Sequence, residues 1–312
     1  MALPLEKDMK FGWIAAMDSL EAVRETTRLA DELEMDSLWV GDHIAFAVPI
    51  MDPLLQLAQA AALSDRLILG TSVYLLPLRH ATGVAKQVST LDRLTDGRLI
   101  FGVGVGGEFP NEFAACGVPV KERGARLSEG IDVLRKLWTG EKVSNDGQFF
   151  PFEDVQMRPK PVQAGGPPIW CGGRSEAALR RAGRMADGYI SYVVTPDMYK
   201  AALATMSAAA EQAERDVDSF GTAHLLFCRI DDSYEKSWDV ATEHLSERYA
   251  SDFRNPAKRY CALGKPEDVA ETINQFREAG VRHVIIDSVS PQAERQEQIE
   301  RFAKEVRPLL IG

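Results

Sequence analysis

Leu99-Ile-Phe-Gly-Val-Gly-Val-Gly-Gly-Glu-Phe-Pro-Asn-Glu-Phe113 is the stretch that decides the fold of this chain. Its apolar first part, residues 99–103, predicts a buried strand. Four of the six residues 102–107 are glycines, and a carboxylate follows at Glu108. Such a glycine density indicates backbone that bends sharply or lies close to a ligand. We therefore predict a strand whose carboxyl end delivers polar groups to a pocket.

The same glycines also match the G-x-G-x-x-G pattern of dinucleotide-binding folds, through Gly102, Gly104 and Gly107. That pattern should open a helix directly after a strand. Here Glu-Phe-Pro-Asn follows Gly107, and we expect no helix before about Val120. We therefore reject a dinucleotide fingerprint.

Composition limits the class of protein. The chain has 312 residues, of which 45% are hydrophobic and 26% charged, as in ordinary globular proteins. Its net charge of −10 argues against nucleic acid or an anionic membrane surface as the main partner. There is no apolar run near the roughly 20 residues of a membrane span, and no signal-peptide core. The four cysteines lie far apart without metal-ligand spacing, so we expect reduced thiols, no metal site and a cytoplasmic location.

Strand and helix patterns alternate along the chain. The predicted strands are 10–15, 37–40, 67–73, 98–103, 169–171, 188–193, 223–230 and 283–288. Eight strands alternating with helices predict a (β/α)8 TIM barrel, with an open doubly wound sheet as the alternative. We favour the barrel because the unusual residues all follow strands. We expect one domain, 1–312, with insertions near 139–168, where Asn145-Asp-Gly147 predicts a hairpin, and near the irregular segment 251–265.

Polar residues follow the second and third strands. Asp42 and His43 end the second, where a histidine serves as acid, base or hydrogen-bond donor to a cofactor ring. A surface histidine held by Asp42 is an equal alternative. Ser72 and Val73 end the third strand, and the residues alone favour an ordinary strand end there.

The glycine run leads to three further candidates. Glu108 is a candidate acid or base beside close-approach backbone. Asn111 and Glu112 equally suit turn and capping roles before the next helix. The other histidines, which are scattered, are predicted to be structural: His80, His224, His244 and His283.

A predicted anion site follows the fifth strand. Gly172-Gly173-Arg174-Ser175 opens a helix, and a helix N-terminus with a serine cap, an arginine and close-approach glycines suits a phosphate. Arg180, Arg181 and Arg184 add local positive charge. The alternative is an ordinary serine cap with solvated arginines.

Several motifs together resemble the bacterial luciferase-like superfamily of flavin and deazaflavin oxidoreductases. They include Leu38-Trp-Val-Gly-Asp-His43, Leu69-Gly-Thr-Ser-Val73, Gly102-Val-Gly-Val-Gly106 and Ile169-Trp-Cys-Gly-Gly-Arg-Ser175. The resemblance covers nearly the whole chain. It is closest to the branch that uses coenzyme F420, a deazaflavin.

The resemblance implies a planar cofactor at the carboxyl ends of the barrel strands and a homodimer. His43 and Glu108 would be catalytic. Ser72-Val73 matches the position of a non-prolyl cis peptide that lies against the ring in many members. The implied cofactor-binding residues are Asp42, Ser72, Val73, Gly106, Asn111, Gly172, Gly173, Arg174 and Ser175.

We therefore expect F420-dependent hydride transfer to or from a small organic substrate. The alternative is an FMNH2-dependent monooxygenase that receives reduced FMN from a separate flavin reductase. A third hypothesis is a barrel that binds a flavin-like ligand without turnover. We expect Trp13, Phe46, Phe109, Tyr192 and the inserted segments to select the substrate, whose identity the residues leave open.

Overall fold

A computed structural model describes residues 3–46 and 49–310, and a closed barrel dominates it. The strands of these residues are β1 (Lys10–Ile14), β2 (Ser37–Val40), β3 (Ile68–Thr71), β4 (Leu99–Val103), β5 (Lys142–Asn145), β6 (Phe152–Gln156), β7 (Ile169–Gly172), β8 (Gly188–Tyr192), β9 (Gly221–Ile230), β10 (Cys261–Gly264) and β11 (His283–Ser288). The parallel order β9-β11-β1-β2-β3-β4-β7-β8 returns to β9, because Gly188 pairs with Gly221. The predicted (β/α)8 barrel is confirmed, and the open sheet is excluded.

Helices follow the barrel strands and cover the outside of the ring. They are α1 (Leu20–Glu32), α2 (Pro53–Ala61), α3 (Ala81–Leu94), α4 (Pro110–Ala115), α5 (Arg123–Trp138), α6 (Glu176–Met185), α7 (Pro196–Gln212), α8 (Tyr234–Tyr249), α9 (Arg254–Tyr260), α10 (Pro266–Glu278) and α11 (Arg295–Arg301). In the described ranges no helix combines the length and apolar character needed to cross a bilayer.

A short helix follows the glycine run, contrary to the prediction of none before Val120. α4 begins at Pro110, whose fixed φ suits a first helical position, and Glu112 lies in its first turn. It has only six residues. The long helix that returns the chain to the barrel is α5.

Two elements lie outside the ring. β5 and β6 form the predicted antiparallel hairpin, although its second strand begins at Phe152, after a longer connection than Asn145-Asp-Gly147 alone requires. The segment 251–265 is more regular than predicted, since it contains α9 and β10. β10 pairs with the second half of β9, where Ala262 lies beside Cys228.

Large aromatic side chains fill the barrel interior. A Cβ on Gly12 or Gly70 would lie within 2.6 Å of the Trp39 ring, and one on Gly221 would lie 2.2 Å from Trp170. The two indoles therefore occupy the space that side chains at these glycines would need. The interior is a packed core, which leaves the carboxyl ends of the strands for a site.

Candidate active site

A cavity of about 940 Å³ lies at the carboxyl ends of the barrel strands. Its walls come from residues at or just after the carboxyl ends of the barrel strands, and from helices that include α1, α8 and α11. The predicted site residues that line it are Asp42, His43, Ser72, Val73, Gly106, Glu108, Gly172, Gly173, Arg174 and Ser175. The aromatic residues Trp13, Phe46, Phe109 and Tyr192 also line it, whereas no described residue of 139–168 or 251–265 does.

Asn111 is the predicted site residue that the structure does not bring to the cavity. It lies in the first turn of α4 with its side chain exposed to solvent. Its neighbour Glu112, for which a turn or capping role was the alternative prediction, points inward and is 1% exposed. Because of the direction of α4, Glu112 faces the cavity and Asn111 faces solvent.

Glu112 holds His43. The Nδ1 atom of His43 lies 3.1 and 3.2 Å from the two carboxylate oxygens of Glu112. The same carboxylate accepts hydrogen bonds from the backbone N–H groups of Ile44 at 2.6 Å and Ala45 at 3.0 Å. Because a carboxylate only accepts, Nδ1 of His43 carries the proton in the neutral ring. Nε2 is then the nitrogen that can accept or return a proton.

Two phenylalanines restrain the imidazole. Phe46 stacks on His43 with ring centroids 4.2 Å apart and planes 6° apart. Phe109 meets the same ring edge-on at 5.3 Å. These contacts leave the histidine few rotamers, so its orientation is set by packing as well as by Glu112.

Asp42 stabilises the turn after β3 instead of holding His43. Its carboxylate forms an ion pair with Arg79, at 2.5 Å and 2.9 Å to the two oxygens, and accepts from the backbone N–H of Leu75 at 2.8 Å. Both oxygens are therefore engaged within the protein. The turn that they hold contains the Ser72–Val73 peptide bond, which is cis.

Val73 packs between two strand ends. A Cβ on Gly104, just after β4, would lie 2.4 Å from the Val73 Cγ2 atom. A Cβ on Gly172, at the end of β7, would lie 2.9 Å from Cγ1. The glycines leave room for an apolar floor at Val73, which suits one face of a planar ring.

Glu108 contacts a tyrosine from another strand. The hydroxyl of Tyr192, at the end of β8, donates to Glu108 Oε1 at 2.5 Å. Burial, followed by this hydrogen bond, raises the pKa of Tyr192, so the hydroxyl stays protonated and remains a donor. The guanidinium of Arg174 lies 4.8 Å from the centroid of the Tyr192 ring. Glu108 and the predicted anion site are thus neighbours.

The turn predicted as an anion site has the geometry of a serine-capped helix start. Ser175 caps α6 by accepting from the N–H of Ala178 at 3.3 Å, and Gly173 has φ +131°, which glycine favours. The first N–H groups of α6 have no partner in their own helix. With Arg174 they fit a ligand phosphate. Arg180 and Arg181 do not reach it, since the first pairs with Glu176 and the second donates to Ser128.

The sequence reasoning missed a second polar group on the opposite wall. Arg248 of α8 forms an ion pair with Asp287 of β11, and His244, which was predicted to be purely structural, lines the cavity beside them. Burial, then the positive charges of Arg248 and Arg295, lowers the pKa of His244 to about 4. The spacing of His244 and Arg248 puts them on one helix face, but only the fold brings Asp287 and Arg295 to that face.

Comparisons with known proteins agree with this architecture. An F420-dependent glucose-6-phosphate dehydrogenase from Kribbella flavida is 30% identical over 90% of this chain and 91% of its own. An F420-dependent secondary alcohol dehydrogenase, solved with an F420-acetone adduct, superposes with a TM-score of 0.84 at 20% identity, over 98% of this chain and 100% of its own. Monooxygenase RslO1 from Streptomyces bottropensis superposes with a TM-score of 0.83 at 24% identity, over 96% and 99%.

The family match extends over most of the chain. Residues 9–304 match the luciferase-like monooxygenase family. This range includes the whole barrel and every residue that lines the cavity. The resemblance inferred from the motifs is confirmed, and the chain belongs to the luciferase-like monooxygenase family of oxidoreductases.

Proposed function

We propose that this protein is an F420-dependent oxidoreductase that transfers a hydride to or from a small organic substrate. The observation that carries the proposal is the His43–Glu112 pair, which lines the same cavity as the Gly172–Ser175 anion site. One provides a proton-transfer group and the other a place for a cofactor phosphate. The curated relatives that are named as F420-dependent dehydrogenases support this cofactor.

Each group in the cavity has a role in this proposal. When bound, F420 supplies a ring carbon that gives or accepts a hydride. Nε2 of His43 takes or returns the substrate proton, and the Glu112 carboxylate stabilises the charged imidazole. Glu108, held by Tyr192, is a second proton-transfer group. The backbone of Gly172 and Gly173, with the side chains of Arg174 and Ser175, binds the phosphate.

The second candidate function is an FMNH2-dependent monooxygenase. The family that the chain matches is described by monooxygenase activity, and an FMN phosphate suits the same helix N-terminus. This alternative requires a separate flavin reductase as a partner.

Cofactor binding tests the proposal directly. The purified protein is titrated separately with F420 and with FMN, and each Kd is measured by fluorescence. We expect the tighter Kd for F420, and a change in its absorbance when a substrate and the F420-loaded enzyme are mixed. Tight FMN binding without F420 binding would refute the proposal in favour of the monooxygenase.

The first substrates to assay follow from the relatives. Glucose 6-phosphate and other sugar phosphates come first because the K. flavida relative is named for that substrate, and secondary alcohols come next. We also propose one domain over 1–312 and a cytoplasmic homodimer, as the luciferase-like resemblance implies. Light scattering coupled to size-exclusion chromatography tests the dimer.

A further inference from the structure

The cavity has a second cationic region, opposite Glu108. In the strand ring, β11 lies four strands from β4. Arg248 from α8 and Arg295 from α11 approach the cavity on the β11 side. The Gly172–Ser175 anion site follows β7, on the other side of the opening. The two cationic regions therefore face different parts of any ligand in the cavity.

Arg248 is fully engaged by the protein. Its Nη1 atom donates to Asp287 Oδ2 at 2.7 Å, and Nη2 lies 3.2 Å from Oδ1. Nη2 also lies 2.9 Å from Nε2 of His244. Its side chain is 17% exposed. Arg248 is thus a fixed part of the wall, and its charge is balanced by Asp287.

Arg295 has no direct ion pair among the described residues. Its one hydrogen bond within residues 3–46 and 49–310 is a long one, from Nε to the backbone oxygen of Ser290 at 3.4 Å. No carboxylate in these ranges lies within ion-pair distance of it, although Asp18, Glu25 and Glu247 also line the cavity. Burial, then the neighbouring charge of Arg248, lowers the pKa of Arg295, and the more distant carboxylates of Asp287 and Asp18 offset this only in part. A half-buried guanidinium beside another cation is costly unless an anion completes it.

We propose that Arg295 binds an anionic group of the substrate, a carboxylate or a phosphate ester, at the β11 side of the cavity. This inference rests on the proposed function, because it assigns the Gly172–Ser175 site to the cofactor. Among the residues that the structure describes, neither η nitrogen of Arg295 has a hydrogen-bond partner, which leaves both for the two-point contact that guanidinium makes with either oxyanion. Gln292 and Gln296 line the cavity from the same segment and add amide donors.

Anion titration of the cofactor-loaded protein tests the inference. The protein is saturated with F420, or with FMN if that cofactor binds, so that the cofactor's own phosphate fills the Gly172–Ser175 site. Inorganic phosphate and acetate are then titrated separately by calorimetry at constant ionic strength. The variants are Arg295→Gln and Arg295→Lys, and the control is Arg28→Gln, which removes an exposed arginine of α1.

We expect saturable binding of phosphate or acetate to the parent protein. The affinity should fall about tenfold or more in Arg295→Gln, partly recover in Arg295→Lys and stay unchanged in Arg28→Gln. If Arg295→Gln loses phosphate binding, the substrate group is a phosphate ester. If it loses acetate binding, the substrate group is a carboxylate. Circular dichroism and Tm verify that each variant is folded.

Two results overturn the inference. One is the absence of saturable binding of either anion to the loaded parent protein, and the other is equal affinity in Arg295→Gln. In both cases the cofactor still binds, so the proposed function survives. If neither F420 nor FMN binds the parent protein, the proposed function and this inference fail together.

Discussion

At the scale of single residues, the centre of the site is a histidine whose protonation pattern is set by a buried carboxylate. Glu112 accepts from the ring nitrogen of His43 and from two backbone N–H groups. Such an arrangement fixes which nitrogen faces a ligand and stabilises the ring when it is charged. The same carboxylate also fixes the backbone after β2, so it serves structure and chemistry together.

Replacing His43 tests the proton-transfer role. We expect His43→Ala to lower kcat by about 10²–10⁴, the range for loss of a general acid or base, while the protein still binds F420. Steady-state kinetics and a fluorescence titration measure the two quantities. Unchanged turnover in a His43→Ala, Glu108→Ala double variant would contradict acid–base roles for both residues.

Replacing Glu112 tests its structural role. Glu112→Gln removes the charge of a buried carboxylate that accepts from three N–H groups and replaces one of its oxygens by an NH2 donor, so we expect the free energy of unfolding to fall by about 1–3 kcal/mol. Urea denaturation followed by circular dichroism measures it. The matched control is Glu108→Gln, which changes an exposed carboxylate and should alter stability by less than about 0.5 kcal/mol. Equal effects of the two changes would contradict the assignment.

At the scale of elements, the site depends on how α6 begins. Gly173 has φ +131°, and a Cβ there would lie 2.6 Å from the Cβ of Ala178. The chain therefore needs glycine to bring the first N–H groups of α6 to the cavity. Ser175 then ends the turn as the cap.

Two glycine-to-alanine changes compare this turn with an ordinary helix. Gly173→Ala should lower the free energy of unfolding by about 1–3 kcal/mol and weaken cofactor binding, because both its backbone conformation and its space are restricted. Gly83→Ala, within α3 where a Cβ meets nothing within 4 Å, should raise stability by about 0.5–1 kcal/mol. Urea denaturation and the F420 titration report both. Cofactor affinity unchanged in Gly173→Ala would argue against the anion site.

At the scale of the whole molecule, the barrel buries two histidines in their neutral form. His224 packs against Phe276 of α10 with ring centroids 4.0 Å apart, and His283 bonds Ser37 inside the ring at 2.7 Å. Burial lowers the pKa of each to about 3. In the unfolded chain both titrate near their ordinary value of about 6.5.

These histidines predict acid sensitivity. Below about pH 6.5 the two histidines bind protons in the unfolded chain but not in the folded protein. Their contribution to the free energy of unfolding is therefore fully present above about pH 6.5 and is lost as pH falls. Each histidine contributes a loss of about 1.4 kcal/mol per pH unit between pH 6.5 and 3. His224→Gln should reduce this slope, and His80→Gln, which changes an exposed histidine, should not. Urea denaturation at pH 7, 6 and 5 measures the slopes, and equal slopes in all three proteins would contradict the prediction.

Local patterns were enough to predict the barrel and to place polar residues at its rim, whereas the family resemblance supplied Ser72 and Val73 as cofactor-binding residues. The positions of Ser72, Glu108 and Ser175 just after strands place them at one rim, because parallel strands in a barrel end on the same side. The short helix α4 and the strand β10 escaped prediction, because short apolar or Pro-initiated segments give weak periodic signals. The exposure of Asn111 and the burial of Glu112 depended on the direction of α4.

The sequence by itself determined the eight barrel strands, the rim at which polar residues collect and the glycine-serine turn before α6, since each follows from local periodicity or backbone chemistry. Only the tertiary structure decided that Glu112 holds His43, that Asp42 pairs with Arg79, and that Arg248 pairs with Asp287 at the cavity wall. These contacts join residues far apart in the chain. Their pairing is set by the closure and packing of the ring, which no local pattern encodes.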